Sequence, residues 1–179
     1  IWALFLSILA GGLGWIFWQR NRLAAYRSAA DDLARQFSGR RLESLRETAD
    51  WLDRFWPERY EGTKSYPGPF YVAAALDAFG YPALLVCDSS RGKGRTPRLH
   101  VLVAAIRSPE TTAGDARAEL ARCRELGFTL TFGEAGVFGR ADASTLELVA
   151  QTPAALHAVA PALTAMSRAA RALGAQPAR

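Results

Sequence analysis

The stretch LSILAGGLGWIFWQRNR, Leu6 to Arg22, decides how this chain is read. It is apolar along most of its length, carries Ser7, Gly11, Gly12 and Gly14 near its middle, and stops at Arg20 and Arg22. Traced back to Ile1, the run holds no charge through Trp18. As a helix it would rise about 27 Å, close to the hydrocarbon thickness of a bilayer. Trp2 stands near one end and Trp15 and Trp18 near the other, where indole rings favour the membrane–water interface. Residues 1–18 are therefore expected to form a single transmembrane helix. A cleaved signal peptide fits less well, because no basic segment precedes the run in the sequence given and QRNRLAAYR is a poor small-residue cleavage site.

Arg20, Arg22 and Arg27 follow the run at once. The positive-inside rule then expects an anchor in the bacterial inner membrane with the rest of the chain in the cytoplasm. Basic residues ahead of Ile1 would reverse this and place the domain in the periplasm. The same arginines are candidates for lipid-headgroup contact, worth about 1 kcal/mol each close to an anionic surface. A bacterial source agrees with the preference for arginine, Lys64 and Lys93 being the only lysines.

The small residues fall into a pattern. At about 100° per residue, Ala3, Ser7, Ala10, Gly11 and Gly14 lie within one arc of the helical wheel, away from Phe5, Leu6, Leu9 and Ile16. A face of small residues gains nothing from lipid chains but lets a second helix backbone approach closely. This arc is expected to be a helix-packing interface with other membrane-protein subunits.

Beyond the anchor, residues 19–39 are expected to form a juxtamembrane amphipathic helix with Leu23, Tyr26, Ala30, Leu33 and Phe37 on one side, ending at Ser38–Gly39. Its charged face, with Arg27, Asp31, Asp32 and Arg35, reads as solvated. Residues 40–174 form the soluble domain and 175–179 a C-terminal tail. A helix is expected from Leu42 to Trp56, its apolar side carrying Leu42, Leu45, Ala49, Leu52 and Phe55, with Pro57 stopping it. SYPGP at 65–69 is a loop. FYVAAALDAF and ALLVCDSS read as strands joined tightly through GYP. RLHVLVAAI is apolar at nearly every position, as a central strand covered on both faces would be. A helix from Thr112 to Glu125 closes at Gly127, and the strands FTLTFG, GVFGRA and STLELVA follow. The last helix takes Thr152 as N-cap and Pro153 at its first position, with a stripe of Leu156, Val159, Ala160, Leu163, Met166, Ala170 and Leu173 that Pro161 kinks or divides. The order helix, three strands, helix, three strands, helix gives an α+β fold with a mainly antiparallel sheet and packed helices behind the transmembrane helix.

Catalytic chemistry finds little support. The net charge of +5 is modest and no block resembles a basic nucleic-acid-binding tail. Cys87 and Cys123 lack metal or redox spacing, and Cys123 shares a helical face with Ala116 and Leu120, as a buried apolar residue would. His157 lies on the polar side of the last helix with Thr164 and Arg168, and His100 begins a strand. Ser89 and Ser90 lack the glycines of a nucleophile elbow, and Asp77 and Asp88 could face each other across a hairpin. SRGKGRTPR resembles a phosphate loop only in its glycines and lysine, since it lies between two strands and lacks the Walker spacing. Arg91, Lys93, Arg95 and Arg98 make it a positive finger able to meet an acidic partner or lipid headgroups. No cofactor or metal is expected. The favoured function is a non-catalytic accessory subunit of a larger inner-membrane complex, bioenergetic or secretory. A membrane-tethered sensor of an anionic ligand, using residues 91–98, is the alternative. A tethered enzyme acting through Asp88 or His100 ranks third.

Overall fold

The structure, a computed structural model, describes residues 2–55, 71–89, 97–106, 116–133, 136–141, 156 and 159–179. Its elements run α1 (Trp2–Gln36), β1 (Arg40–Leu42), α2 (Leu45–Phe55), β2 (Tyr71–Ala78), β3 (Tyr81–Ser89), β4 (Pro97–Ile106), α3 (Arg117–Glu125), β5 (Phe128–Gly133), β6 (Gly136–Ala141), α4 (Val159–Ala172) and β7 (Gln176–Pro177). The strands form one sheet in the order β1-β2-β3-β4-β6-β5, with β7 pairing the end of β4. Every pairing is antiparallel.

Alternation along the strands feeds two cores. Val72, Ala74, Leu76 and Ala78 of β2, Tyr81, Ala83, Leu85 and Cys87 of β3, and Leu99, Val101, Val103 and Ala105 of β4 share a cluster with α1, α3 and α4. The intervening Ala73, Leu84, Val86, Leu102 and Ala104 face the other way, onto Leu42, Trp51 and Ala178. Successive strand side chains point to opposite faces, so β4 needs apolar residues at every position to serve both cores. Each fully buried leucine or valine there contributes about 1.5–3 kcal/mol.

The expected transmembrane helix is not borne out. No helix among the described residues is long and apolar enough to cross a membrane. Ser7, Gly11, Gly12 and Gly14 dilute the apolar run, and Gln19 and Arg20 close it early. One 35-residue helix instead runs through both the supposed anchor and the supposed juxtamembrane segment. Its C-terminal part packs Tyr26, Ala29, Ala30, Leu33, Ala34 and Phe37 into the larger core.

Several boundaries also move. Leu42 belongs to β1, and α2 starts after Ser44, whose Oγ accepts from the Glu47 amide at 3.2 Å while its own hydroxyl reaches the Glu47 carboxylate. Ser44 thus caps the first turn through its hydroxyl, which satisfies one of the helix's otherwise unpaired amides. The buried side of α2 accordingly carries Thr48 and Trp51, with Leu52 and Phe55 half-buried, while Leu45 and Ala49 are exposed. The β2–β3 turn is Phe79–Gly80 rather than GYP, both residues having positive φ (59° and 88°). Such paired left-handed residues suit the twist of a two-residue hairpin, and Asp77 Oδ1 accepts from the Gly80 amide. Helix α4 begins at Val159, which puts Pro161 in the first turn, where a missing N–H costs nothing, so it neither kinks nor divides the helix. The final residues are not a tail: β7 pairs β4, and Tyr81 Oη donates to the Ala175 carbonyl at 2.9 Å. Pro57, the strand STLELVA and the caps Thr152 and Pro153 lie outside the described residues.

Where α1 ends, Ser38 turns left-handed (φ 48°) and the Gly39 amide donates to Ala34 O at 2.7 Å. The Asp77 amide then donates to Phe37 O at 2.8 Å, sewing the helix end to β2. A Cβ on Gly39 would lie 2.8 Å from Leu76 Cα and closer still to the Ala75 carbonyl oxygen. The three nearest atoms are all β2 backbone, which leaves no flexible side chain to give way. Gly39→Ala is expected to destabilise the fold by about 2–3 kcal/mol, read as a lower urea midpoint.

Ion pairs tie the same corner. Arg41 Nε meets Asp31 Oδ1 at 2.9 Å and its Nη2 meets Glu43 Oε1 at 2.8 Å, so Asp31 links α1 to β1 instead of being merely solvated. Burial works against the Arg41 charge, but the Asp31 and Glu43 carboxylates more than offset it and hold its pKa above the usual value. Arg40 pairs with Glu47 and, by its hydrogen bond, holds that carboxyl below its ordinary pKa. A lowered folded-state pKa adds stability above the unfolded pKa that disappears as pH falls through the folded value. Glu47→Gln should therefore lower the urea midpoint at pH 7 but have less effect at pH 3.

Candidate interaction surface on the first helix

The face of α1 that enters the core can be followed toward its N-terminus. Phe37 and Ala30 are buried, Leu23 is partly buried against the same cluster, and Ile16 occupies the next heptad position in that row. Residues seven apart return to nearly the same side of a helix. Ile16 is uncovered, and beside it stand Leu13, which heads the column of exposed Arg20 and Arg27, and Phe17, which heads that of exposed Ala24. Leu13, Ile16 and Phe17 are 57, 50 and 68 % exposed, three large apolar side chains on two adjoining turns. Isolated exposed leucines need no explanation, whereas a contiguous row marks an interaction surface. From Trp2 to Arg22 this arm rises about 30 Å.

Gly11 and Gly14 of the expected packing arc lie on the arm, exposed, and a Cβ at either would meet nothing within 4 Å. Their surface is open to a second helix. Ala3, Ser7 and Ala10 fall in the same helix, though their side chains are outside what is described. Arg20 and Arg27 are exposed at the base of the arm, and among the described residues neither makes an ion pair; the side chain of Arg22 is outside the description. Arg91, Lys93 and Arg95 also lie outside the described residues, and Arg98 is placed only by its backbone, which pairs with Asp88 in the sheet.

The remaining chemical candidates separate in space. Asp77 pairs in register with Pro82 and Asp88 with Tyr71, which puts the two carboxylates at opposite ends of the hairpin. Asp77 is occupied by the turn. His100 is buried on β4, opposite Val86 and Arg140 in register. Both cysteines are free and buried, and burial followed by the Glu119 charge pushes the Cys123 thiol up to about 11, which makes it a poor nucleophile. Among the described residues no three His, Cys, Asp or Glu side chains converge to hold a metal. His157 and Ser90 lie outside them.

Sequence reading missed a second surface, a groove between the β2–β3 turn and α4 lined by Phe79, Thr164, Ser167, Arg168 and Arg171. Thr164 and Arg168 had been placed on the polar side of the last helix, but only the turn at Phe79–Gly80 brings an aromatic ring opposite them. The positive φ of Phe79 was the signal, and it is invisible in a list of residue types.

No protein-family model, no curated protein and no solved structure matches the chain.

With Leu13, Ile16 and Phe17 exposed, this part of α1 should open independently of the body. Amides of residues 11–17 are expected to exchange with deuterium orders of magnitude faster than those of residues 29–36, whose helix is packed on the sheet. Equal protection of the two segments in the isolated chain would mean that the arm already has a partner, such as a second copy.

Proposed function

We propose that the chain is a non-catalytic accessory subunit of a larger assembly at the bacterial inner membrane, which it joins by laying the α1 arm against helices of a partner subunit. The observation that carries this reading is the exposed apolar patch of Leu13, Ile16 and Phe17 on two adjoining turns, of which Ile16 prolongs a row already used for packing. Helix-in-groove recognition uses such i, i+3, i+4 anchors. Gly11 and Gly14 add a place where a partner backbone could come close. The basic residues at the foot of the arm favour a partner surface that is apolar outward and acidic, or bounded by anionic headgroups, at its rim. No helix among the described residues is long and apolar enough to cross a membrane, so the proposed attachment is through the partner and does not rely on Arg20 and Arg27 to set sidedness.

The test is a photocrosslink. Benzoylphenylalanine at position 17, with position 54 on α2 as control, is irradiated in intact cells of the native host, and the adducts are identified by mass spectrometry. A single protein adduct of fixed mass at 17 and none at 54, lost when Leu13 and Ile16 are changed to Ser, is the expected result. Adducts with lipid only, or none above the control, would overturn the subunit reading.

A further inference from the structure

We infer that the groove between the β2–β3 turn and α4 is a receptor site for an acidic peptide segment, with Arg168 and Arg171 taking its carboxylates and Phe79 flanking an adjacent apolar side chain. This inference is independent of the arm, which is formed by other residues.

The cations come first. Thr164, Arg168 and Arg171 occupy one side of α4 at helical spacing, so both guanidinium groups rise from the same wall. Arg35, Arg40, Arg41 and Arg122 each meet a carboxylate. Arg168 and Arg171 are exposed and make no such pair among the described residues. Arg171 lies in the last turn of α4, where a cation complements the helix dipole, but that accounts for neither Arg168 nor Phe79. The hydroxyl of Thr164 donates to Ala160 O at 2.9 Å and that of Ser167 to Leu163 O at 2.8 Å. The groove surface itself is almost wholly apolar, and with those protons committed Arg168 and Arg171 are the bordering residues with side-chain donors to offer, planar forks that select carboxylates.

Phe79 forms the other wall. It is 56 % exposed and sits at φ 59°, a conformation that glycine or asparagine adopts far more readily than a bulky residue. Its ring stands edge-on to Phe37, with centroids 6.0 Å apart and planes at 89°. The fold thus holds a large apolar ring into solvent, at a conformational cost, across from two cations. Strained residues of this kind concentrate at ligand clamps.

Size decides the class of occupant. The groove has a volume of about 210 Å³, below the range of about 300–1,000 Å³ that encloses whole small molecules. It suits one apolar side chain, with a neighbouring carboxylate left to the exposed arginines, presented by a chain that continues outside. Two cations are also too few for a lipid surface, which is read by clusters of about four to eight basic residues.

The experiment uses the full chain and a fluorescein-labelled peptide GEDLEDLG, followed by fluorescence anisotropy, with GQNLQNLG as the uncharged control. Saturable binding that weakens at least tenfold in 0.5 M salt, and at least tenfold when Arg168 and Arg171 are both changed to Gln, is expected. Phe79→Asn keeps a residue suited to the turn, so it should preserve or raise the thermal midpoint while weakening the peptide at least threefold. No saturable binding, equal affinity for the uncharged peptide, or indifference to the arginine and Phe79 changes in folded variants would overturn the inference. So would tighter, arginine-dependent binding to vesicles of phosphatidylglycerol than to the peptide. Repeating the titration with Leu13, Ile16 and Phe17 changed to Ser should give the same affinity, which separates this site from the arm.

Discussion

The end of α1 lies closer to β2 than any side chain would permit, and the geometry of the molecule follows from that approach. Gly39 has backbone of Ala75 and Leu76 where a Cβ would be. The peptide groups on either side are held by hydrogen bonds from Gly39 to Ala34 and from Asp77 to Phe37. The chain then enters β1 and pairs Arg40 with Ala75, so helix and sheet edge are joined without slack. With one end pinned, the axis of α1 is set by its buried row Tyr26, Ala30, Leu33 and Phe37. The arm is a consequence of that axis. With its C-terminal end pinned and its second half packed, α1 leaves Leu13, Ile16 and Phe17 exposed.

The same junction supports the turn at the other surface. Phe37, the residue whose carbonyl receives the Asp77 amide, is also the ring against which Phe79 stands. Asp77 gives its backbone to α1 and its carboxylate to Gly80. One short segment therefore orients both the first helix and the aromatic wall of the groove. The ion pairs of Arg41 with Asp31 and Glu43 brace the corner from outside, although half-exposed pairs of this kind contribute little beside the buried contacts.

How much of this was legible in the sequence varies with the physics of each element. The continuous apolar run of β4 is legible because a strand buried on both faces has no polar position to offer, and the structure places it between β3 and β6. The row Leu156, Val159, Leu163, Met166 and Ala170 is legible because helical periodicity survives any change of boundary, and all five are buried. Helix α2 was misjudged in its buried side, because Leu42 fits a helical stripe equally well until β1 claims it and Ser44 resets the start. The GYP connection was misplaced because bulky residues rarely adopt the conformation Phe79 holds, so nothing in the composition points to it. Of the proposed packing arc, Gly11 and Gly14 are found exposed on the arm. The groove escaped notice because its two walls are far apart in sequence.

The misread anchor shows why length and apolarity alone are ambiguous. A bilayer span must present apolar side chains all round, since lipid surrounds it. A docking helix needs them along one seam and can leave the rest small. Ile16 continues the row of Leu23, Ala30 and Phe37, Leu13 and Phe17 extend the exposed apolar patch to one flank of it, and Gly11 and Gly14 lie on other sides. That is the pattern of a helix made to lie against something on one side. Within the molecule this something is the sheet, as far as Leu23. Past that point Leu13, Ile16 and Phe17 form an exposed apolar patch, and the free energy of covering it is available to a partner that brings its own apolar surface.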